Sequence, residues 1–575
     1  MIKRLASYMK PYRKYTILAI FCVAVETMFE LIIPLIMADI IDVGVATGNK
    51  PYIFGKGALM VLCALISLLL GIGSARFAAL CGQGLGAELR KAEYRKLQSF
   101  SFANTDHFRT SSLITRLTGD VTAIQNSVST GLRPAFRAPV MMITSIVMAF
   151  FINADLAVVF LIAAPLLGVL LFLIVRKVRP MYGKMQRAVD LVNRIIQENL
   201  TAIRVVKAYV RGDHEIAKFT EGNDTLRSTS ERAFRLAALN MPAMQLIMYA
   251  TILCILWFGG RLTQVGGMEV GALTGFLSYV LQVLNSLMMI SNVFLMLTRA
   301  LASGQRILEV MDEEVTLTDE AARDITVERG EITFDHVSFK YEAGASENVL
   351  SDISFHIAAG QTVGIIGPTG SAKTTLVQLI PRLYDATGGT VCIDGRPVKE
   401  YPLRHLRDAI AMVLQKNTLF SGTVRDNLRW GREDATDEEI EEACRVACVD
   451  EFLGRLEKGL DTEMGQGGVN VSGGQKQRLC IARAILKRPR VLILDDSTSA
   501  VDTATEAKIR EGLASSLPGT TKIIIAQRIS SVAHADQIII LDDGRISAVG
   551  THEELLASNA IYQDIYHSQQ EGAGL

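Results

Sequence analysis

"GIIGPTGSAKTTL", Gly364 to Leu376, decides the architecture of the carboxyl-terminal half of this chain. A short β-rich run leads into a glycine-rich loop, and a helical segment opens at Lys373. Successive backbone N–H groups of such a loop, with the N-terminus of the helix, wrap the phosphates of a nucleotide. The candidate contacts are Gly367, Thr369, Gly370, Ser371, Ala372 and Thr375. Lys373 is placed to neutralise the β- and γ-phosphate oxygens, and the hydroxyl of Thr374 to bind Mg²⁺. The usual pattern has glycine before the lysine, and here that position is Ala372. If the backbone there needs a positive φ, the methyl costs on the order of 1 kcal/mol, too little to abolish nucleotide binding.

The surroundings of the loop fit the same reading. From Glu331 onward, short β-rich runs such as "TVGIIG", "VLILDD" and "KIIIAQ" alternate with helical segments, which predicts an α/β domain with a largely parallel sheet. Before it lies an acidic connector, "MDEEVTLTDEAARD". The predicted organisation is a membrane domain over 1–310, a linker over 311–330 and a nucleotide-binding domain over 331–575.

Upstream of Arg299 the chain has a different character. Gly57–Ala75, Ala138–Ala154, Leu156–Val175, Leu236–Gly260 and Val270–Thr298 contain no Asp, Glu, Lys or Arg. A bilayer core of about 30 Å needs ~20 helical residues, so each reads as a spanning helix. Tyr15–Ile41, interrupted only by Glu26, Glu30 and Asp39, supplies a sixth. The predicted helices run roughly over 15–43, 53–100, 115–153, 156–208, 222–263 and 268–308. Lys3, Arg4, Lys10, Arg13 and Lys14 precede the first, whereas "DVGVATGNKP" after it holds one lysine, which places the N-terminus and the nucleotide-binding domain in the cytoplasm. The chain is 49% hydrophobic with a mean hydropathy of +0.28. Its formal net charge is zero, which points away from nucleic acid as a partner. The eight cysteines show no metal-ligand spacing, and Cys444 with Cys448 reads as a reduced pair.

"VNVSGGQKQR", Val469 to Arg478, resembles the signature sequence of ATP-binding cassette (ABC) proteins through Ser472, Gly473, Gly474 and Gln475. Further elements follow that family's order. Tyr341, 26 residues before Gly367, is similar to the aromatic that stacks on adenine. Gln415, in "MVLQKNTLF", resembles the loop glutamine that touches Mg²⁺, and "EMGQGG", Glu463 to Gly468, the loop that contacts the partner's helices. Asp502 resembles the aspartate of the dimer-contact loop. "FANTDHFRTSSLITRLTGD" and "NLTAIRVVKAYVRGD" resemble the two cytoplasmic coupling regions of exporters, with the couplers near Thr105–Ser112 and Val206–Gly212. The whole chain resembles an exporter half-transporter, which implies an all-α six-helix membrane domain followed by a cytoplasmic α/β P-loop NTPase domain of the ABC type, with ATP and Mg²⁺ as cofactors. The expected setting is the cytoplasmic membrane of a bacterium.

Two departures stand in "VLILDDSTSAVD", Val491 to Asp502, and "IIIAQRIS", Ile523 to Ser530. Asp495 ends the buried strand and is expected to hold Mg²⁺ together with Thr374 and Gln415. Asp496 occupies the position that orients the attacking water, where the family ordinarily has glutamate. Losing one methylene withdraws the carboxylate by roughly 1 to 1.5 Å, and a 1 Å misplacement can cost about a hundredfold in rate. Gln527 stands where the family usually has a histidine that contacts the γ-phosphate; it donates a hydrogen bond but carries no charge near neutrality. The pattern resembles the degenerate half of heterodimeric bacterial exporters, with Asp496, Gln527 and Gln415 as the catalytic positions. It implies a second half-transporter that keeps the glutamate and histidine, and a small amphipathic substrate moved across the lipid bilayer. An importer of metal chelates, a lipid flippase and a homodimeric exporter stay open as alternatives.

Glu26 and Glu30 lie four apart and share a helix face. Carboxylates at membrane depth are functional candidates, and the favoured reading is that they face a wet vestibule or pair with a neighbouring helix. The methionines near Met241–Met248 and Met288–Met296 are expected in ordinary helix packing, with an adaptable cavity as the alternative.

Overall fold

The computed structural model describes residues 2–341 and 346–573, and the chain folds into two compact units. One comprises Met1–Gln98 and Thr110–Asp312, the other Ser99–Arg109 together with Glu313–Leu575.

The first unit is helical. Among the described residues, five helical stretches are long and apolar enough to cross a membrane: Lys10–Val45, Lys50–Gln98, Thr110–Ile152, Gly212–Gln264 and Val270–Asp312. A further helix of 48 residues, Ala154–Thr201, occupies the stretch where the sequence places the fourth span. Large apolar side chains such as Leu69, Phe151 and Trp257 point outward, as a hydrocarbon surround requires. Inside, Leu31, Ile255, Phe276 and Tyr279 belong to one buried cluster. The Tyr279 hydroxyl in this cluster donates to the Leu31 carbonyl at 2.6 Å, and the buried Ser145 hydroxyl donates to Gln282 at 3.0 Å. Asp42 caps the last long helix by accepting the backbone N–H groups of Gly271 and Ala272.

Glu26 and Glu30 are paired across helices. Arg133 donates to Glu26, and Arg137 bridges both acids, reaching Glu26 Oε1 at 3.2 Å and Glu30 Oε2 at 2.6 Å. Glu26 is 2% exposed. Gly71 on the neighbouring helix lets this cluster fit, because a Cβ there would stand 3.2 Å from both Arg133 and Glu26.

The second unit is α/β. Its main sheet has the strand order Arg545–Gly550, Gln537–Asp542, Thr362–Ile366, Thr521–Ile525, Val491–Asp495, Ile410–Val413. All neighbours pair in parallel except the first two strands. The continuous Val/Ile/Leu content of these strands follows from burial on both faces: every residue of Val491–Asp495 is buried. A second, antiparallel sheet carries Ile332–Phe339 and leads to Tyr341. Cys444 and Cys448 are free and buried, and burial pushes the Cys444 thiol up to about 12.

Ser99–Arg109 lies, in sequence, inside the membrane half yet belongs to this unit. Its short helix is Phe102–His107, three residues earlier than the coupler read from the sequence, because Ser101 and Asn104 form a capping box that starts it there. The other short helix, Ile203–Ala208, is likewise earlier, and Gly212 opens the next helix, Gly212–Ala238. Asn104 donates to the Glu314 carbonyl at 2.7 Å, and the Tyr384 hydroxyl donates to Asp106 at 2.6 Å.

Candidate nucleotide site

Parallel strands put all their carboxyl ends on one edge, and that edge is where an open α/β sheet binds its ligand. Four adjacent strands each deliver one part of the site. Thr362–Ile366 runs into the phosphate loop, Thr521–Ile525 is followed by Gln527, Val491–Asp495 ends in Asp495 with Asp496 next, and Ile410–Val413 is followed by Gln415. The register fixes the meeting. Ile525 lies opposite Asp495, and the Asp496 N–H donates to the Ile525 carbonyl at 3.0 Å. Gln527 and Asp496 therefore leave neighbouring strands at the same level.

In the loop, Gly367 is required by close approach: a Cβ would sit 2.0 Å from the Leu541 carbonyl oxygen. Thr369 and Gly370 are exposed, whereas Ser371 and Thr375 are buried. Ala372 has φ +68°, the left-handed region that L-residues avoid. Ala372→Gly is thus expected to stabilise this unit by about 1 kcal/mol at most, since glycine's extra unfolded-state entropy offsets part of the relief. Calorimetry on the intact chain checks this: a lowered melting temperature for the transition of this unit contradicts it. Lys373 folds back to donate to the carbonyls of Gly367 and Pro368, both at 2.8 Å. Burial lowers its pKa, with Asp496 and Asp495 acting in the opposite sense.

The Thr374 hydroxyl donates to Asp495 Oδ1 at 3.1 Å. Asp495 Oδ2 is buried and has no partner among the described residues, and burial raises the pKa of the group. An orphaned carboxylate oxygen beside a hydroxyl, both oxygen donors, fits a hard dication such as Mg²⁺. When bound, the ion would neutralise phosphate charge, held by Thr374 and Asp495 with Gln415 nearby.

Asp496 has φ +48°. Its carboxylate accepts from Gln527 Nε2 at 2.9 Å. Burial raises its pKa, and hydrogen bonds from Gln415 and Gln527 oppose that rise.

Tyr341 is 47% exposed, its hydroxyl 2.8 Å from that of Thr375 in the phosphate loop. Phe339 and Tyr384 hold it edge-on, at 5.0 and 5.3 Å between ring centroids. Tyr384 thus joins Asp106 to the aromatic expected against adenine, a link invisible in "PRLYDATGG" because nothing local marks that tyrosine.

The signature residues lie together but elsewhere on the surface of the unit. Ser472 caps helix Gly473–Leu486 by accepting from the Gln475 N–H, while Gln475 accepts from the Ser472 N–H at 2.9 Å. Ser472 and Gly473 are exposed, and Gly474 is required where a Cβ would stand 2.7 Å from the Ala500 carbonyl oxygen. Gln477, which the sequence did not single out, ties this helix to the Asp502 loop through Ser499 at 3.2 Å and Ala500 at 3.0 Å. Asp502 caps helix Thr503–Ser516.

A phosphate loop, an acid at the end of the neighbouring strand but one and an exposed serine-glycine helix start, carried on a chain with membrane-length helices, define an ABC-type ATPase fused to a transmembrane domain. The description "ABC transporter transmembrane region" matches residues 16–287, and "ABC transporter" matches residues 350–499. The chain is 39% identical to the uncharacterised ABC transporter ATP-binding protein YfiB of Bacillus subtilis (strain 168), over 99% of this chain and 98% of that protein. It is 33% identical to the probable multidrug resistance ABC transporter ATP-binding/permease protein YheI of the same organism, over 99% and 97%. Among solved structures it is similar to a bacterial Atm1-family ABC exporter with ATP bound, with a TM-score of 0.84, 25% identity, and 97% and 99% of the two chains covered. The chain belongs to the ABC transporter family, and its architecture is that of the exporters, which work as dimers in the membrane.

Proposed function

We propose that this chain is the unequal half of a heterodimeric exporter: its own phosphate-loop site binds ATP and hydrolyses it slowly, while its signature completes a competent site on a partner that keeps glutamate and histidine. The observation that carries the reading is the Asp496–Gln527 hydrogen bond of 2.9 Å. The shortened carboxylate is already engaged by a neutral amide that stands where an imidazole is usual, and neither group is matched to polarising a water beside the γ-phosphate. The signature, with its cap and its tie through Gln477, carries no such change beyond Val471 for the more usual leucine.

Cassettes of the family meet head to tail, so ATP at each interface touches both chains and its binding energy favours closure. Coupling segments pass that closure to the membrane helices, which turn from inward- to outward-facing, and hydrolysis at the partner's site resets them. The exported cargo is a small amphipathic compound, in keeping with the name of the YheI relative.

Solubilising the tagged chain from its native membrane and identifying what accompanies it tests the pairing. The expected result is an equimolar second half-transporter, with ADP accumulating at the partner's phosphate loop and intact ATP retained at Lys373. A self-paired chain that turns over ATP at both sites alike would overturn it.

A further inference from the structure

Between helices Ala154–Thr201, Asn240–Gln264 and Val270–Asp312 lies a cavity of about 340 Å³. Met241, Met244 and Met248 line it from one helix, at a spacing of three and four residues that puts them on one face, and Met288 lines it from another. The polar groups that the lining adds beyond one serine are the amides of Gln245 and Asn285. Among the described residues neither amide has a hydrogen-bond partner, whereas Ser291 already donates to the Leu287 carbonyl at 3.0 Å. Among the described residues no charged side chain lines the cavity. The membrane-depth acids Glu26 and Glu30 are committed to Arg133 and Arg137 and take no part in the lining.

We infer that this cavity binds an uncharged aromatic compound carrying a carbonyl or similar hydrogen-bond acceptor; the inference rests on the export reading only for the claim that such a compound is cargo. Three observations converge on that class. Thioether side chains are polarisable, adapt to irregular shapes and favour contact with ring edges. A mostly apolar site with a few convergent polar groups, at the lower end of ligand-site volumes, selects a small ligand by shape and fixes its orientation through those groups. The Gln245 and Asn285 side chains offer N–H donors without carrying charge. A permanent cation would enter with no counter-charge and lose its hydration uncompensated, so the site rejects it.

4-Neopentylbenzophenone is a neutral two-ring ketone whose photoexcited carbonyl inserts preferentially beside methionine sulfur, and 4-(trimethylammoniomethyl)benzophenone matches its size and shape and adds only a fixed positive charge. The test illuminates each probe with the full-length chain, together with whatever chain it assembles with, in nanodiscs formed from the expressing membrane. Mass spectrometry then locates the label among the 20 methionines. The expected result is saturable labelling of Met241, Met244, Met248 or Met288 by the neutral probe, at least tenfold above the cationic one. Equal labelling by the cation, or label spread evenly over other methionines, overturns the inference. Gln245→Leu with Asn285→Leu, which preserves side-chain bulk, is expected to cut neutral labelling severalfold; unchanged labelling removes the amides from the assignment and overturns it in that form. Met248→Glu is expected to reverse the preference between the probes. ATP-driven dye movement is measured alongside. Transport of ethidium without neutral labelling sinks the cavity assignment and leaves the export reading standing. Saturable neutral labelling with no ATP-driven transport of any dye supports the cavity and sinks export.

Discussion

Asp496→Glu combined with Gln527→His is expected to raise ATP hydrolysis at this chain's own site about a hundredfold, equivalent to about 2.7 kcal/mol of barrier. The reason is geometric. Asp496 leaves the end of a strand whose register is locked to its neighbour from Thr521 to Ile525, so the backbone cannot advance to make up the missing methylene. The carboxylate instead rests on Gln527 at 2.9 Å. A longer arm reaches further toward the phosphate loop, and an imidazole in place of the amide contributes a group that can carry a proton and a charge near neutrality. Each single substitution is expected to recover only part of the gain, because the longer acid still meets an amide, or the imidazole still meets a short acid. Single-turnover hydrolysis in a dimer whose partner site has been disabled reads this directly. If the native site already turns over as fast as the double variant, the unequal-dimer reading goes with it.

Arg137→Leu is expected to destabilise the membrane unit by about 3 kcal/mol or more, because removing one partner of a buried pair leaves an uncompensated charge. Arg137 serves two acids at once, Glu26 and Glu30. Ser67 touches Glu30 at 3.4 Å and cannot replace a guanidinium, and Arg133 is already committed to Glu26. The discriminating variant is Arg137→Leu with Glu30→Leu, which removes charge of both signs and is expected to recover most of the loss. Resistance to denaturant in mixed micelles measures both. If the single and double variants are equally destabilised, the loss comes from packing rather than from an orphaned charge.

These two cases differ in how far the sequence foretells them. The phosphate loop, the aspartate pair and the signature are contiguous strings whose chemistry depends on neighbours in the chain, and they were legible as strings. That Gln527 meets Asp496 depends on strand order, which parallel β-rich runs suggest only loosely; the register Ile525 to Asp495 supplies it. The Glu26–Glu30 cluster was legible only on one side. Arg133 and Arg137 repeat the four-residue spacing of the two acids, a complementary pattern that could have revealed the pairing, but they sit just before the charge-free run from Ala138 and read as a flank. The left-handed backbone at Ala372 is not legible in the string, because no local signal sets φ when glycine is replaced. Tyr384 has no local mark at all: its role exists only where Phe102, Phe339 and Tyr341 gather around its ring.

The membership of Ser99–Arg109 in the nucleotide-binding unit governs how such proteins can be recombined. A chimera spliced at Asp312 exchanges the socket around Tyr384 but keeps the old plug, so the Asp106 hydrogen bond and the Asn104 grip on Glu314 are presented to strangers. Separately expressed, the segment after Glu313 lacks the Phe102 ring that stands 6.0 Å from Tyr384 and the Asp106 carboxylate that accepts from its hydroxyl. Gene fusions, domain swaps and evolutionary shuffling alike must move two pieces of chain together, or co-vary them, for the engine to fit another body.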